Sequence, residues 1–392
     1  MPYILTINGG SSSIKFALFR SDSELTRLYA GQFSRIGLPD AQLEITNSTT
    51  HVQEKHAVNA PNHAACIKPL LDWLAQHADL NELQAVGHRI VHGGPKFSAP
   101  VRITPQVLIE LERIQSYAPE HIPAEIALIR AFAEHDSSML QIACFDTAFH
   151  QPLPRTAQLL PIPRRYFAQG VRRYGFHGLS YEYLMSELER IAGHKVAQGR
   201  VILAHLGNGA SMTAVRDGKS IDTTMAFTPT AGLVMSTRTG DLDPGVFAFL
   251  ARADKSPPDT VYHTLHAQSG LLGISESSSD MRDLLARENE DEHAADAIAI
   301  FCQQAKKFIG AYAAILGGLD TLVFSGGIGE NAPLIRARIC KGLQFLGIEL
   351  DAAHNQANAA VISADASRVA VRVIKTDEEL QIARSVAKVI AH

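Results

Sequence analysis

The segment Ile4–Phe19, reading ILTINGGSSSIKFALF, restricts what this chain can fold into more than any other. Two apolar runs rich in strand formers flank a polar, glycine-rich turn, the pattern of a β-hairpin. Asn8, Ser11, Ser12 and Ser13 offer hydrogen-bonding side chains on that turn, and Lys15 offers a charge. Gly9 and Gly10 allow close backbone approach. Amides, hydroxyls and one cation in a small concavity suit a phosphate. Taken alone, the same segment reads equally well as a polar hairpin corner. A second copy decides between the two. Val201–Val215 repeats the plan of apolar strand, Gly/Asn/Ser turn and apolar strand. A repeat of this kind predicts two similar halves. A third glycine turn, Ser325–Asn331, follows the apolar run Thr321–Phe324. Together these turns predict a nucleotide clamped between two lobes. The chain contains no G-x-x-x-x-G-K-[ST] sequence, so a Walker-type loop is excluded.

The length of 392 residues exceeds one ordinary core and suits two large domains. With 36 basic and 40 acidic residues the formal net charge is −4, which gives no electrostatic case for nucleic acid or an anionic membrane. Cys66, Cys144, Cys302 and Cys340 are scattered without metal-ligand spacing and read as buried thiols of a reducing compartment. No histidine sits in an H-E-x-x-H pattern. The first residues enter a strand without the features of a secretory signal. No apolar run approaches the ~18 residues of a membrane span. A cytoplasmic protein is the expectation.

Periodicity and breakers predict strands at 3–8, 14–19, 26–33, 86–92, 141–145, 201–206, 211–216, 321–325 and 369–374. Helices are predicted at 61–78, 104–117, 123–135, 180–192, 243–253, 291–317, 333–347 and 376–391. Lys255–Asp259 reads as a surface loop and Ser275–Ser279 as a polar loop. Strands alternating with helices place the chain in the α/β class. The proline-rich stretch after His150 marks a boundary. The first lobe is expected over 1–149, joined by the last helix at about 376–392, and the second over 150–375.

Several further segments carry a family resemblance. They are Gly87–Gly94 (GHRIVHGG), Phe145–His150 (FDTAFH), Arg172–Gly178 (RRYGFHG) and His205–Ser211 (HLGNGAS). Asp222–Met225, Thr237–Pro244 (TRTGDLDP), Ser269–Ser275, Gly326–Asn331 (GGIGEN) and Thr376–Glu379 complete the set. With Asn8–Phe16 they resemble, in family order and over nearly the whole chain, the acetate kinase (acetokinase) family. The resemblance implies a two-lobed, actin-like ATPase (ribonuclease H-like) fold with duplicated core domains. It also implies a homodimer that uses ATP and Mg²⁺, or Mn²⁺ in its place, to phosphorylate a short-chain carboxylate. The expected reaction converts acetate and ATP to acetyl phosphate and ADP, reversibly and by direct in-line transfer.

The residue types fit that chemistry. A carboxylate is already ionised near neutrality, so no general base is needed to make the nucleophile. Cations that bring two anions together and stabilise the transferring group are needed instead. Arg89 and Arg238 match the family's two catalytic arginines, and His177 matches its histidine beside the transferred phosphoryl group. An isolated loop arginine is ordinarily a solvated surface charge, and it is the matched motifs that argue otherwise. Asp146 and Glu378 match acidic residues of the magnesium and phosphate site, with Asn8 beside the metal and Glu379 as the alternative to Glu378. Asn8, Ser11, Ser13 and Lys15 are expected at the phosphates from the first half, and His205, Leu206, Gly207, Asn208 and Gly209 from the second. Asp280, Met281, Arg282, Gly326, Gly327, Ile328, Gly329 and Asn331 are expected around the adenosine.

Val91, Phe176 and Pro229, with Arg89, match the substrate pocket. Several positions depart from the family pattern: Leu179 and Tyr181 replace a small residue and a histidine, Ala226 and Ser236 replace glycines, and one stretch bears on the pocket. Ala118–Pro123 reads APEHIP, with Glu120 where an apolar residue usually lines the pocket and Ile122 in place of an asparagine. Either the segment turns Glu120 to solvent and Ile122 inward, or the substrate carries a polar group. The first is the expectation. Propionate or another small carboxylate is the rival substrate. An actin-like, nucleotide-gated structural or regulatory protein is the rival from another class.

Overall fold

The computed structural model describes residues 2–10 and 12–391 and divides them into two compact units. The first runs to Ala148, takes in Gly178–Tyr183 and resumes at Asp377. The second holds Phe149–His177 and Leu184–Thr376. The excursion Gly178–Tyr183 into the first unit is not part of the expected division at about 150 and 376. The helix Gly178–Ala192 is divided, its first six residues grouping with the first unit.

The first unit is built on one eight-stranded sheet. Its strands are Tyr3–Gly9 (β1), Ile14–Arg20 (β2), Arg27–Ser34 (β3), Gln42–Asn47 (β4), Gln53–Ala57 (β5), Leu83–Ile90 (β6), Val101–Arg102 (β7) and Gln141–Phe145 (β8), in the order β5-β4-β3-β2-β1-β6-β8-β7. β1 to β5 form an antiparallel meander, and β6 and β8 add to β1 in parallel. The central strands read as almost continuous apolar runs because both faces are covered. On one face, the helices Ile67–His77 and Ile122–His135 bury Leu70, Leu74, Leu128 and Phe132 with Leu5, Phe16 and Phe33. On the other, Ile382, Ala383 and Val386 of the helix Glu378–Ile390 pack on Ile4, Phe19, Ala85 and Ile142.

The second unit carries a five-stranded sheet in the order β11-β10-β9-β12-β13. Its strands are Val201–Leu206 (β9), Ala210–Arg216 (β10), Lys219–Thr223 (β11), Thr321–Ser325 (β12) and Ala370–Val373 (β13). β9 and β10 form an antiparallel hairpin, and β12 joins β9 in parallel. β2-β1-β6 has the same arrangement in the first unit, so the repeat expected from the two glycine hairpins is present as a duplicated sheet core.

The strands β4, β5, β7 and β11 escape the sequence reading. β5 is the sequence QEKHA at a sheet edge, mostly exposed, where no apolar alternation is required. Lys55 on β5 pairs with Glu44 on β4 at 2.6 Å, a charged edge that resists further strand addition. One helical expectation and one loop expectation also change. The span 333–347 stops at Cys340 because Lys341 is extended and Gly342 has φ +85°. The expected loop Lys255–Asp259 is broken by the helix Pro258–Ala267, which starts with proline in its first turn, where a fixed φ and a missing N–H cost nothing. The four cysteines are free and buried.

Gly87 fixes how closely the helix Glu378–Ile390 can approach the sheet. A Cβ there would lie 2.5 Å from Val386 Cγ2 and 2.6 Å from Ile382 Cγ2. Replacing Gly87 with alanine should push the helix off β6 and cost about 1–3 kcal/mol, the usual range for overpacking a tight core. Urea unfolding of Gly87→Ala checks this, and an unchanged midpoint would contradict the packing described.

Candidate active site

In the first unit, the parallel strands β1, β6 and β8 end side by side, and their carboxyl ends deliver Asn8, Arg89 and Asp146 to one edge of the sheet. Ligands of open α/β sheets bind at such edges. Arg89 Nη2 donates to Asp146 Oδ2 at 2.8 Å, and Nη1 donates to the Gly9 carbonyl at 3.1 Å. The guanidinium is thereby fixed, with its side chain only 13% exposed. Arg89 Nε has no hydrogen-bond partner among the described residues. Asn8 Nδ2 donates to Glu378 Oε2 at 2.9 Å and to Glu379 Oε1 at 3.2 Å, so both acids of the pair reach the same amide. Asp377 caps their helix by accepting from the Leu380 N–H at 3.0 Å. Lys15 is exposed directly across the hairpin from Asn8. Ser13 is half-buried, and its carbonyl accepts from the Gly10 N–H at 2.7 Å to close the turn. Ser11 lies outside the described residues.

This edge concentrates negative charge. Burial, reinforced by Asp146, raises the Glu378 carboxyl above the usual range, against the pull of Arg89, Asn8 and Lys15. Burial and the neighbouring Glu378 do the same to Glu379. Burial alone would lower the Arg89 guanidinium, yet Asp146, Glu378 and Glu125 together raise it. Oxygen donors of this kind, short of positive charge, fit a hard divalent cation. Among the described residues no group of three or more His, Cys, Asp or Glu side chains is arranged to hold a metal.

Glu125 was not singled out by motif. Its carboxylate is 3% exposed and accepts from the Val91 N–H at 3.1 and 3.2 Å through its two oxygens. The signal is in the helix pattern: Ile122, Glu125, Ile126, Ile129 and Phe132 share one buried stripe, and an acid stands inside it. Burial pushes its carboxyl up to about 8, against the pull of Arg89 and the Val91 amide. At the start of the same helix, Ile122 is fully buried, whereas Glu120 is exposed.

In the second unit, His177 adopts a left-handed conformation with φ +59° at the start of its helix. Its Nδ1 lies 2.8 Å from Ser211 Oγ on β10, and its ring stacks on His205 of β9 with centroids 4.2 Å apart. A Cβ on Gly209 would lie 3.2 Å from His177 Nε2 and 3.7 Å from Arg238 Nη1, so the bare turn of the β9–β10 hairpin borders both side chains. Arg238 Nη1 donates to the Pro229 carbonyl at 3.1 Å. Burial and then the Arg238 charge hold His266 down near 4, so it stays neutral. Asn208 is exposed at the tip of the turn, and its carbonyl accepts from the Ser236 N–H at 3.1 Å.

The helix Gly326–Asn331 follows β12, the parallel neighbour of β9. A Cβ on Gly207 would lie 3.8 Å from Gly327 N, so the second and third glycine turns adjoin. Gly327 is exposed, and a Cβ there would meet open space. Asp280 caps its helix through the Arg282 N–H at 2.8 Å and pairs with the Arg282 side chain. The side chains of Leu206 and Met281 are buried, and Gly326 and Gly329 are buried too. The structure thus assembles Asn8, Arg89, Asp146 and Glu378 in one unit, and His177, His205, Gly209, Pro229 and Arg238 in the other. Val91 and Phe176 are both buried, at 2% and 1% exposure.

The model of the acetokinase family matches residues 3–384. The chain belongs to the acetokinase family. An acetate kinase of Geobacillus sp. strain WCH70 is 44% identical over 395 residues, covering 99% of each chain. Among solved structures, a propionate kinase from Francisella tularensis superposes with a TM-score of 0.92 at 37% identity, covering 98% of this chain and 99% of the other. Acetate kinase from Porphyromonas gingivalis superposes with a TM-score of 0.89 at 36% identity over the whole of both chains. The two-domain, actin-like ATPase fold is therefore that of the family, and the protein is an ATP-using carboxylate kinase.

Glu125 makes stability depend on pH. Its carboxyl binds a proton more tightly folded, at about 8, than at the ordinary value of 4.5. Between those values the native state holds the extra proton, so stability falls as pH rises. Glu125→Gln should flatten that fall, seen as a smaller loss of Tm between pH 5 and 8. Parallel Tm profiles for the two proteins would contradict it.

Proposed function

We propose that the protein transfers the γ-phosphoryl group of ATP to acetate, giving acetyl phosphate and ADP, and that it catalyses the reverse. The observation that supports this most directly is the Arg89 guanidinium, held by the Gly9 carbonyl and Asp146 and carrying a donor, Nε, without a partner among the described residues. A planar guanidinium so fixed binds carboxylate or phosphoryl oxygens without reorganising. Arg238 supplies the second cation, oriented by the Pro229 carbonyl. His177, held by Ser211 and His205, places a ring nitrogen for hydrogen bonding to the transferring group. The chain needs no base for an already ionised acceptor, so Asp146 acts by orienting Arg89 and by binding metal or water. The residues that match the family's substrate pocket, Val91 in the first unit and Phe176 and Pro229 in the second, are buried.

Asn8 and Glu378, with Glu379 next to them, would hold Mg²⁺. The ion would neutralise charge on the phosphates. Asn8, Ser11, Ser13 and Lys15 in one unit and His205 to Gly209 in the other would take the phosphates. Asp280, Met281, Arg282, Gly326, Gly327, Ile328, Gly329 and Asn331 would surround the adenosine. A homodimer in the cytoplasm accompanies this reading. The free buried cysteines agree with a reducing compartment. Propionate is the second reading, favoured by the fit to the Francisella propionate kinase.

Two outcomes are expected. Arg89→Ala or Arg238→Ala should lower turnover by roughly 10²–10³-fold, the loss typical of one preorganised transition-state stabiliser. Lysine should restore little of it, and near-normal acyl phosphate formation, trapped with hydroxylamine, would overturn the role. Across formate, acetate, propionate, butyrate and hydroxy acids, acetate and propionate should be the substrates. Exposed Glu120 should tolerate leucine, and Ile122→Ala should weaken binding. A hydroxy acid used far better than propionate, with a large loss in Glu120→Leu, would move the reading to a polar substrate.

A further inference from the structure

Glu330 lies within the GGIGEN turn, and the chemistry above does not use it. One of its carboxylate oxygens, Oε1, gathers three donors. It accepts from the Gly326 N–H at 2.9 Å, from the Thr376 N–H at 3.1 Å and from Ser325 Oγ at 3.3 Å. The first and third hold the start of the helix Gly326–Asn331. The second holds the residue at which the chain leaves the second unit. Thr376 is followed by Asp377, which caps the helix bearing Glu378 and Glu379.

The turn has little freedom to absorb a displacement by itself. Gly326 has φ +75°, and a Cβ there would lie 2.7 Å from the Leu206 carbonyl. At the other end, Arg336 is fully buried and donates to the carbonyls of Gly329 and Glu330 at 2.8 and 3.0 Å. Its remaining donors go to Asn355 and Asn358. The helix is thus clamped at its end by Arg336 and at its start by Glu330, and the Glu330 clamp extends to Thr376.

We propose that Glu330 is the positioning residue joining the nucleotide-facing turn Gly326–Asn331 to the segment that carries Glu378, so that ordering the turn orders the metal-side carboxylates. The inference rests on the placement of adenosine under Proposed function. The linkage needs an acceptor, not a charge: glutamine keeps an oxygen for the amides, whereas alanine leaves two backbone donors without it. Losing such partners costs about a factor of ten in the coupled equilibrium.

Hydrogen exchange on the full protein with ADP, in chelator so that no metal bridges the segments, tests it. In the wild type, ADP should protect amides 326–331 and slow exchange at 376–380 about tenfold. In Glu330→Ala the first protection should persist and the second should vanish, and Glu330→Gln should behave as the wild type. The KM for ATP and the Mg²⁺ needed for half activity should rise together about tenfold in Glu330→Ala, with the KM for acetate unchanged. Glu330→Asp, one methylene short, gives the same readout if the alanine variant does not fold. Protection of 376–380 by ADP in Glu330→Ala, with 326–331 also protected, would overturn the proposal. Absence of protection at 326–331 in the wild type would instead overturn the placement of the nucleotide, and this inference with it.

Discussion

A single part-buried guanidinium faces a crowd of carboxylates, and much of the first unit is arranged around that imbalance. Arg89 is fixed by Asp146 and the Gly9 carbonyl, and the charges of Glu378 and Glu125 act on it as well. Each carboxylate reaches the edge by a different route. Asp146 follows β8, Glu125 starts a covering helix, and Glu378 comes from the far end of the chain. Removing charged groups from water is tolerable only when partners and hydrogen bonds replace the solvent. Burial first, and neighbouring acids after it, raise the carboxyls of Glu125, Glu378 and Glu379 toward their neutral forms.

The second unit handles its site differently. Its groups are arranged by stacking and by bare backbone, with His177 against His205 and glycine where a Cβ would press on His177 and touch Arg238. The two halves repeat one sheet plan but have diverged in chemistry. One gathers anionic oxygen donors, and the other presents imidazole, guanidinium and amide hydrogens.

The fold was legible wherever burial imposed a period. β1, β2, β9, β10 and β12, and the helices Ile122–His135, Glu292–Leu316 and Glu378–Ile390, all match their sequence patterns closely. Elements set by local context rather than burial were missed. β5 has hardly any buried surface to advertise, and the helices Gly270–Ser275 and Met281–Arg287 are too short to show periodicity. At the site, motifs found Arg89, Asp146, Asn8 and Glu378, which meet in space although 370 residues separate Asn8 from Glu378. No spacing rule could have joined them, because the sheet brings them together. Glu125 and Glu330 were overlooked for the opposite reason. Their partners are backbone amides, which no residue letter reveals.

The helix Glu378–Ile390 covers one face of a sheet whose first strand begins at Tyr3. During synthesis that apolar face, with Ile4, Phe19, Ala85 and Ile142, is made long before its cover. At roughly 5–20 residues per second, the nascent chain spends tens of seconds with the face unprotected. The same late segment brings the glutamates that meet Asn8. A truncated or stalled product would therefore carry both an adhesive surface and an incomplete site, and would invite capture by chaperones while being unable to consume ATP.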